Sequence, residues 1–244
     1  MAMRKKTGAG KTFLVLLLAG TVAYSYFNSR EIYTFWMRTY YEKVLGQNTG
    51  DLLRKARELY DKKRYKQVVE YLRPIMKVYP ENRDFLKIKG LALLGLGEAR
   101  SGSDAILSAT EGEVMPEKLL EETAQGLFES RQYRDILILF KTHSPGGNPN
   151  LLYYYGVSLY NAGKYDAAIG QFKKAIDEGR TDQDVYHYLG LAYDKTGDIG
   201  KALPVLERAF EMDVTDRDAA RSLTGAYRKL GRYQDAARIL RKTQ

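Results

Sequence analysis

One feature restricts the possible folds of this chain more than any other: from Pro149 onward, residue types recur every 34 positions in fixed register. Tyr155, Gly156, Gly163, Tyr165, Ala168, Phe172 and Ala175 are followed 34 residues later by Leu189, Gly190, Gly197, Ile199, Ala202, Leu206 and Ala209. A further 34 on stand Leu223, Thr224, Gly231, Tyr233, Ala236, Leu240 and Thr243. Such a period marks stacked repeats, because one short supersecondary unit cannot bury its apolar face without a neighbour.

Carried backward, the register reaches residue 49. Residues 49–82 hold Ala56, Tyr65, Val68, Leu72, Ile75 and a closing Pro80; 83–116 hold Gly90, Leu93 and Gly97; 117–148 hold Ala124, Leu127, Tyr133, Ile136 and Phe140. With 149–182, 183–216 and 217–244 this makes about six units. The third is two residues shorter than the period, at the turn between Ser144 and Pro149.

Each unit predicts two helices and a tight turn. In 149–182 the first helix carries Leu152, Tyr155 and Leu159, and Ala168, Phe172 and Ala175 form the seam of the second. Gly163 supplies a left-handed residue that ends a helix at small steric cost. Gly156 and Ala168 are expected where the two backbones come closest, with Tyr165 packing back over the turn. In 83–116, Gly102 takes the slot of the small packing residue, so the second helix there is expected to start late, near Ser103, or to be irregular. Gln244 stands where earlier units hold Phe210 and Ile176, with Arg238, Arg241 and Lys242 around it, which predicts a polar end to the array.

The order of bulky residue, Leu-Gly, Tyr, Gly, Tyr, Ala, Phe, Ala and Pro at these offsets resembles the tetratricopeptide repeat family, over about residues 49–244. The resemblance implies an all-α, right-handed α-solenoid whose concave wall is lined by the first helix of each unit and receives a peptide or helix. Carried over, the inward positions are Leu53, Arg57, Tyr60, Lys87, Leu91, Glu121, Gln125, Phe128, Tyr153, Val157, Tyr160, His187, Asp194, Arg221 and Arg228. Tyr and Arg are residues on which binding energy concentrates. The family subtype that clamps acidic chaperone tails needs Lys and Asn at fixed inward offsets. Leu53 and Arg57 stand there instead, and no Asn follows in the second unit, which argues against that subtype.

Before the repeats lies a second constraint. Residues 12–29 carry no charge, after a start containing Arg4, Lys5, Lys6 and Lys11. As a helix this run would extend roughly 27 Å at about 1.5 Å per residue, close to the roughly 30 Å of a hydrocarbon core. It is expected to be a single transmembrane helix, with residues 1–11 a basic cytoplasmic tail. Tyr24, Tyr26, Phe27, Tyr33, Phe35 and Trp36 would sit at the far interface. Residues 30–48 would form a juxtamembrane amphipathic helix with apolar positions 32, 35, 36, 40 and 44, in contact with headgroups or with the first repeat. In a bacterium the positive-inside rule places the repeats in the periplasm, on an inner-membrane anchor.

A cleaved signal peptide, cut after Ala23 or Ser25, and a buried amphipathic helix are the alternatives. Thr21 stands where a lipoprotein box needs the acylated cysteine, which excludes that lipidation. Gly8-Ala9-Gly10-Lys11-Thr12 resembles the end of a phosphate-binding loop. Lys5 replaces the glycine such a loop needs, and no strand leads in.

Net charge is +9, of which the first eleven residues supply four, and no basic stripe joins a nucleic-acid-binding fold. The first repeat is basic, at Arg54, Lys55, Arg57, Lys62, Lys63, Arg64 and Lys66, and residues 98–129 are acidic. There are no cysteines, so disulfides and thiol chemistry are excluded. The two histidines, His143 and His187, lie in different repeats without a metal-ligand spacing or nucleophile pattern. Neither an enzyme nor a cofactor, metal or small-molecule substrate is expected. The sequence points to a membrane-anchored scaffold that binds protein partners in its groove, within a larger complex of the cell envelope. The alternatives are a periplasmic holdase near the translocon, or a cytoplasm-facing anchored receptor.

Overall fold

A computed structural model describes residues 30–243. The expected transmembrane helix, and with it Tyr24, Tyr26 and Phe27, lies outside the described residues. Among the described residues there are thirteen α-helices and no strand, and no helix is long and apolar enough to cross a membrane. The chain divides into two compact units, Met1–Leu96 with Asp104–Ala109, and Gly97–Ser103 with Thr110–Gln244.

The first unit contains α1 (Arg30–Thr39), a π-helical turn (Tyr40–Val44), α2 (Thr49–Asp61), α3 (Tyr65–Val78) and α4 (Arg83–Gly95). Its core joins Leu52 and Ala56 of α2, Val68, Leu72 and Ile75 of α3, and Phe85, Ile88 and Ala92 of α4. Residues 30–48 are therefore not one continuous α-helix, since the i+5 turn interrupts it at Tyr40. Met37 and Tyr41 pack on this core, and the Arg38 guanidinium lies 5.1 Å from the centre of the Tyr79 ring. These contacts with the first repeat come from Met37, Arg38 and Tyr41, not from the expected apolar positions 32, 35, 36, 40 and 44. Tyr33 and Trp36 are half-buried, and Phe35 remains 66% exposed.

Helix α5 (Ala99–Thr110) contributes residues to both units. It begins at Ala99 and runs through Gly102 without a break, which corrects the expectation of a late or irregular start. A glycine near the start of a helix costs only about 1 kcal/mol, too little to move its boundary when Ala99 and Ser103 are both buried.

The second unit continues with α6 (Glu117–Glu129), α7 (Tyr133–Thr142), α8 (Pro149–Asn161), α9 (Tyr165–Asp177), α10 (Gln183–Thr196), α11 (Ile199–Met212), α12 (Arg217–Lys229) and α13 (Tyr233–Lys242). Helices α2, α4, α6, α8, α10 and α12 are the first helices of successive hairpins; each is followed by its partner. In the second unit Phe172 and Ala175 of α9 are sealed between Leu152 and Val157 of α8 and Val185 and Leu189 of α10. Leu206 and Phe210 repeat the arrangement against Leu223 and Tyr227. Full burial of a side chain the size of Phe172 contributes about 2–3 kcal/mol.

Two backbone slots recur with the period. The residue before each first helix is Asn48, Asn82, Pro116, Asn148, Asp182 and Asp216, and all but Pro116 accept a backbone N–H with their side chain. Each such cap is worth about 1 kcal/mol. The turn inside each hairpin has positive φ at Lys63, Gly97, Arg131, Gly163, Gly197 and Gly231. Four of these six are glycine, for which that conformation is open. Lys63 and Arg131 adopt it against the usual cost of a Cβ.

Candidate binding wall on the first helices

The first helices of the second unit share one row of aromatic side chains. Phe128 of α6 meets Tyr153 and Tyr154 of α8 with ring centres 5.6 and 4.7 Å apart. From α8, Tyr153 and Tyr160 reach Tyr188 of α10 at 6.1 and 5.8 Å. The row thus crosses three successive first helices. Phe128, Tyr154, Tyr160 and Tyr188 are each half-buried, so each is held by packing and still presents part of its surface. Tyr160 also packs against Tyr165 of α9 at 5.4 Å, the ring that folds back over the turn.

Tyr153 differs from its expected place. Only 3% of it is exposed, so it lies beneath the wall. The Arg180 guanidinium covers it, 3.8 Å from the ring centre. Arg180 is itself held: it donates to Asn150 Oδ1 at 2.7 Å, and its Nε lies 2.8 Å from Asp182 Oδ2 in a charge contact outside hydrogen-bond geometry. Burial drives the Tyr153 pKa far up, with Asp184 and Tyr188 adding to the effect, so the ring stays neutral. Val157 is likewise fully buried.

The polar positions are better exposed. Gln125 is exposed and donates to Glu129, and Arg221 and Arg228 are exposed on α12. Glu121 is half-buried and accepts from both Asn148 and Asn150, binding α6 to α8. Asp194 takes Lys229 Nζ at 2.6 and 2.7 Å. His187 is half-buried, with Nε2 2.9 Å from Ser222 Oγ. Burial lowers its pKa, while Asp216, Asp218 and Asp184 pull the other way. In the first unit, Arg57 is exposed, Tyr60 is half-buried against Tyr65 at 5.5 Å, and Lys87 is half-buried with Asp84 at 3.6 Å. The expected wall positions therefore fall into two sets, one in each unit.

Three contributors escape the carried-over offsets: Tyr154, Tyr188 and Arg180. Tyr154 and Tyr188 are 34 residues apart, in one slot next to an inward position, and two tyrosines one period apart are the available signal. Arg180 lies in the loop after α9 and carries no such signature. The wall holds rings, cations and amide groups, an arrangement fit for the side chains of a peptide or helix. Among the described residues no group of three or more His, Asp and Glu could hold a metal ion.

Models described as tetratricopeptide repeat match residues 131–183, 159–227 and 219–243. Among curated proteins, no sequence match was found. The structure is similar to that of YrrB, described as a TPR protein with an unusual peptide-binding site. That match has TM-score 0.61 and 14% identity, covering 72% of this chain and 91% of that one. It is also similar to "MamA AMB-1 P212121", with TM-score 0.54 and 16% identity, over 66% of this chain and 89% of that one. At these identities the likeness is one of fold. The chain carries tetratricopeptide repeats across residues 131–243, within an all-helical solenoid fold of that type.

Proposed function

We propose that this protein is a membrane-anchored, non-catalytic scaffold that binds protein partners on the wall of its first helices and helps assemble or stabilise a cell-envelope complex. The observation that carries the binding role is the row Phe128, Tyr154, Tyr160 and Tyr188, whose half-buried rings span α6, α8 and α10. Rings already held by packing lose little freedom when their remaining surface is covered, which favours them as binding anchors. The prevailing residue types of the wall, Tyr and Arg, combine apolar area with hydrogen-bonding ends. YrrB's peptide-binding site, on a similar fold, supports the same use of the repeats here.

The anchor and the periplasmic side rest on the sequence: a basic start, an uncharged run over residues 12–29, and aromatic residues beyond it. A phosphatase fused after Gln244 is expected to be active, and a cytoplasm-dependent reporter at the same point dark. The opposite pattern would favour the cytoplasm-facing receptor. Purification of the full chain in mild detergent is expected to bring down one or two stoichiometric partners, which Tyr160→Ala with Gln125→Ala depletes. A broad set of substoichiometric clients would instead identify a holdase.

A further inference from the structure

The repeat geometry defines how one first helix receives the next. Gln183, at the start of α10, donates to Asp216, the cap of α12. His187 meets Ser222, and Asp194 takes Lys229. The same relation joins α6 to α8, where the Asn148 cap donates to Glu117 at the start of α6. The α10–α12 pair therefore engages through three slots on the earlier helix, at its first, fifth and twelfth residues, and the first of these contacts recurs between α6 and α8.

On α12 those slots hold Arg217, Arg221 and Arg228. They line an open trough of about 650 Å³, with Ala220, Thr224 and Gly225 of α12 and Leu240 and Thr243 of α13 along it. Of the residues from which the sequence predicts a polar end, Gln244 lies outside the described ones and Arg238, Arg241 and Lys242 are exposed, but the same region also presents apolar area. Leu240 is 40% exposed, although Leu206, one period earlier, is 1% exposed beneath the following helix. Thr224 is 3% exposed and its Oγ1 lies in the trough wall without a hydrogen-bond partner. Among the described residues the one acid paired with these arginines is Asp218, 3.0 Å from Arg221, and both of those side chains are largely exposed. Arg217 and Arg228 have no ion pair among the described residues.

We propose that the trough on α12 and α13 receives an acidic amphipathic helix from a partner protein. Transferring the α10-to-α12 relation by one period fixes its pattern. The N-cap residue faces Arg217, as Asp216 faces Gln183. Residues six and thirteen positions later face Arg221 and Arg228, as Ser222 and Lys229 face His187 and Asp194. Three guanidinium groups in those slots select an Asp cap and two further carboxylates, because bidentate pairing with planar carboxylates is what Arg does best. An acid at a helix N-terminus is also favoured by the helix dipole. Positions three, seven and ten residues after the cap correspond to Ala219, Leu223 and Ala226, all buried, and call for apolar residues over Leu240 and Thr224. Arg221 and Arg228 are wall positions too, but the trough shares no residue with the aromatic row of α6, α8 and α10, so the two can be tested separately.

The test uses the full chain in mild detergent and a synthetic fluorescent helix with an Asp cap, Leu at positions three, seven and ten, and Glu at six and thirteen. By anisotropy this peptide is expected to bind, and Arg221→Glu with Arg228→Glu to weaken it by about tenfold or more. A peptide with Lys in place of the Glu residues should show the reverse preference. Circular dichroism confirms that the charge-reversed chain folds, and Tyr160→Ala should leave the affinity unchanged. Equal binding to both forms of the chain, or loss of binding on Tyr160→Ala alone, would overturn the proposal. So would self-association of the chain, seen by sedimentation and abolished by Leu240→Asp, since a second copy would then occupy the trough.

Discussion

Gly156 of α8 lies flat against the ring of Phe172 in α9: a Cβ built on the glycine would stand 2.5 Å from Cε1. One period later Gly190 meets Leu206 in the same way, at 2.6 Å from the nearest side-chain carbons. The small residue thus sets how closely the two helices of a hairpin approach, and the ring it admits is fully buried. Gly156→Ala is expected to destabilise the second unit by about 1–3 kcal/mol through overpacking. Thermal denaturation should show it, and Phe172→Leu should recover part of the loss in the double variant. Purely additive losses would mean that the two residues do not constrain each other.

Lys63 and Arg131 have φ of 55° and 56°, in the slot that Gly97, Gly163, Gly197 and Gly231 fill in the other hairpins. The side chains at these turns are exposed and the cost lies in the backbone. Lys63→Gly and Arg131→Gly are each expected to stabilise the chain by about 0.5–1 kcal/mol, after the entropy glycine adds to the unfolded chain. Melting curves of the two variants, and of Gly163→Ala as the converse, give the comparison. A lower melting temperature for both glycine variants would show that the side chains matter more than the backbone.

The hairpins are legible in the sequence because their constraints repeat. Glycines mark four of the left-handed turns, and apolar residues at 168, 172 and 175, repeated at 202, 206 and 209, mark the buried seams. Lys63 and Arg131 can be located only by register, since nothing in their side chains signals a left-handed backbone. The π-helical turn after α1 has no signature in the spacing of its apolar residues. Tyr153 lies deeper than its offset implies because its burial depends on Arg180, a loop residue from beyond the next helix, and inward offsets along one helix carry no record of what folds over it.

That burial changes how the wall must be probed. Tyr153→Ala is expected to cost about 3–5 kcal/mol, comparable to the loss of any large buried aromatic. Tyr160→Ala, at a half-buried ring, should cost appreciably less. Chemical denaturation of the two variants tests the contrast. Equal losses would imply that Tyr160 is as much a core residue as Tyr153.

Burial lowers the His187 pKa, so the folded state favours the neutral ring, while the unfolded chain takes up a proton near the usual 6.5. Stability from this group is complete above that value and is lost as pH falls from there through the lower folded pKa. His143, also lowered by burial, acts with the same sign. Between about pH 7.5 and about pH 5.5 the melting temperature should fall, and His187→Asn should fall less steeply. Matching slopes for the two chains would remove His187 from the pH response.

Docking of partners on the first-helix wall of the second unit can be read directly in native membranes. Photocrosslinking amino acids are placed at Tyr160, at Gln125 and at Arg208, an exposed residue on the second-helix side. Wall binding predicts the same one or two discrete adducts from Tyr160 and Gln125 and none of them from Arg208. Adducts from Arg208 with none from the other two would contradict it.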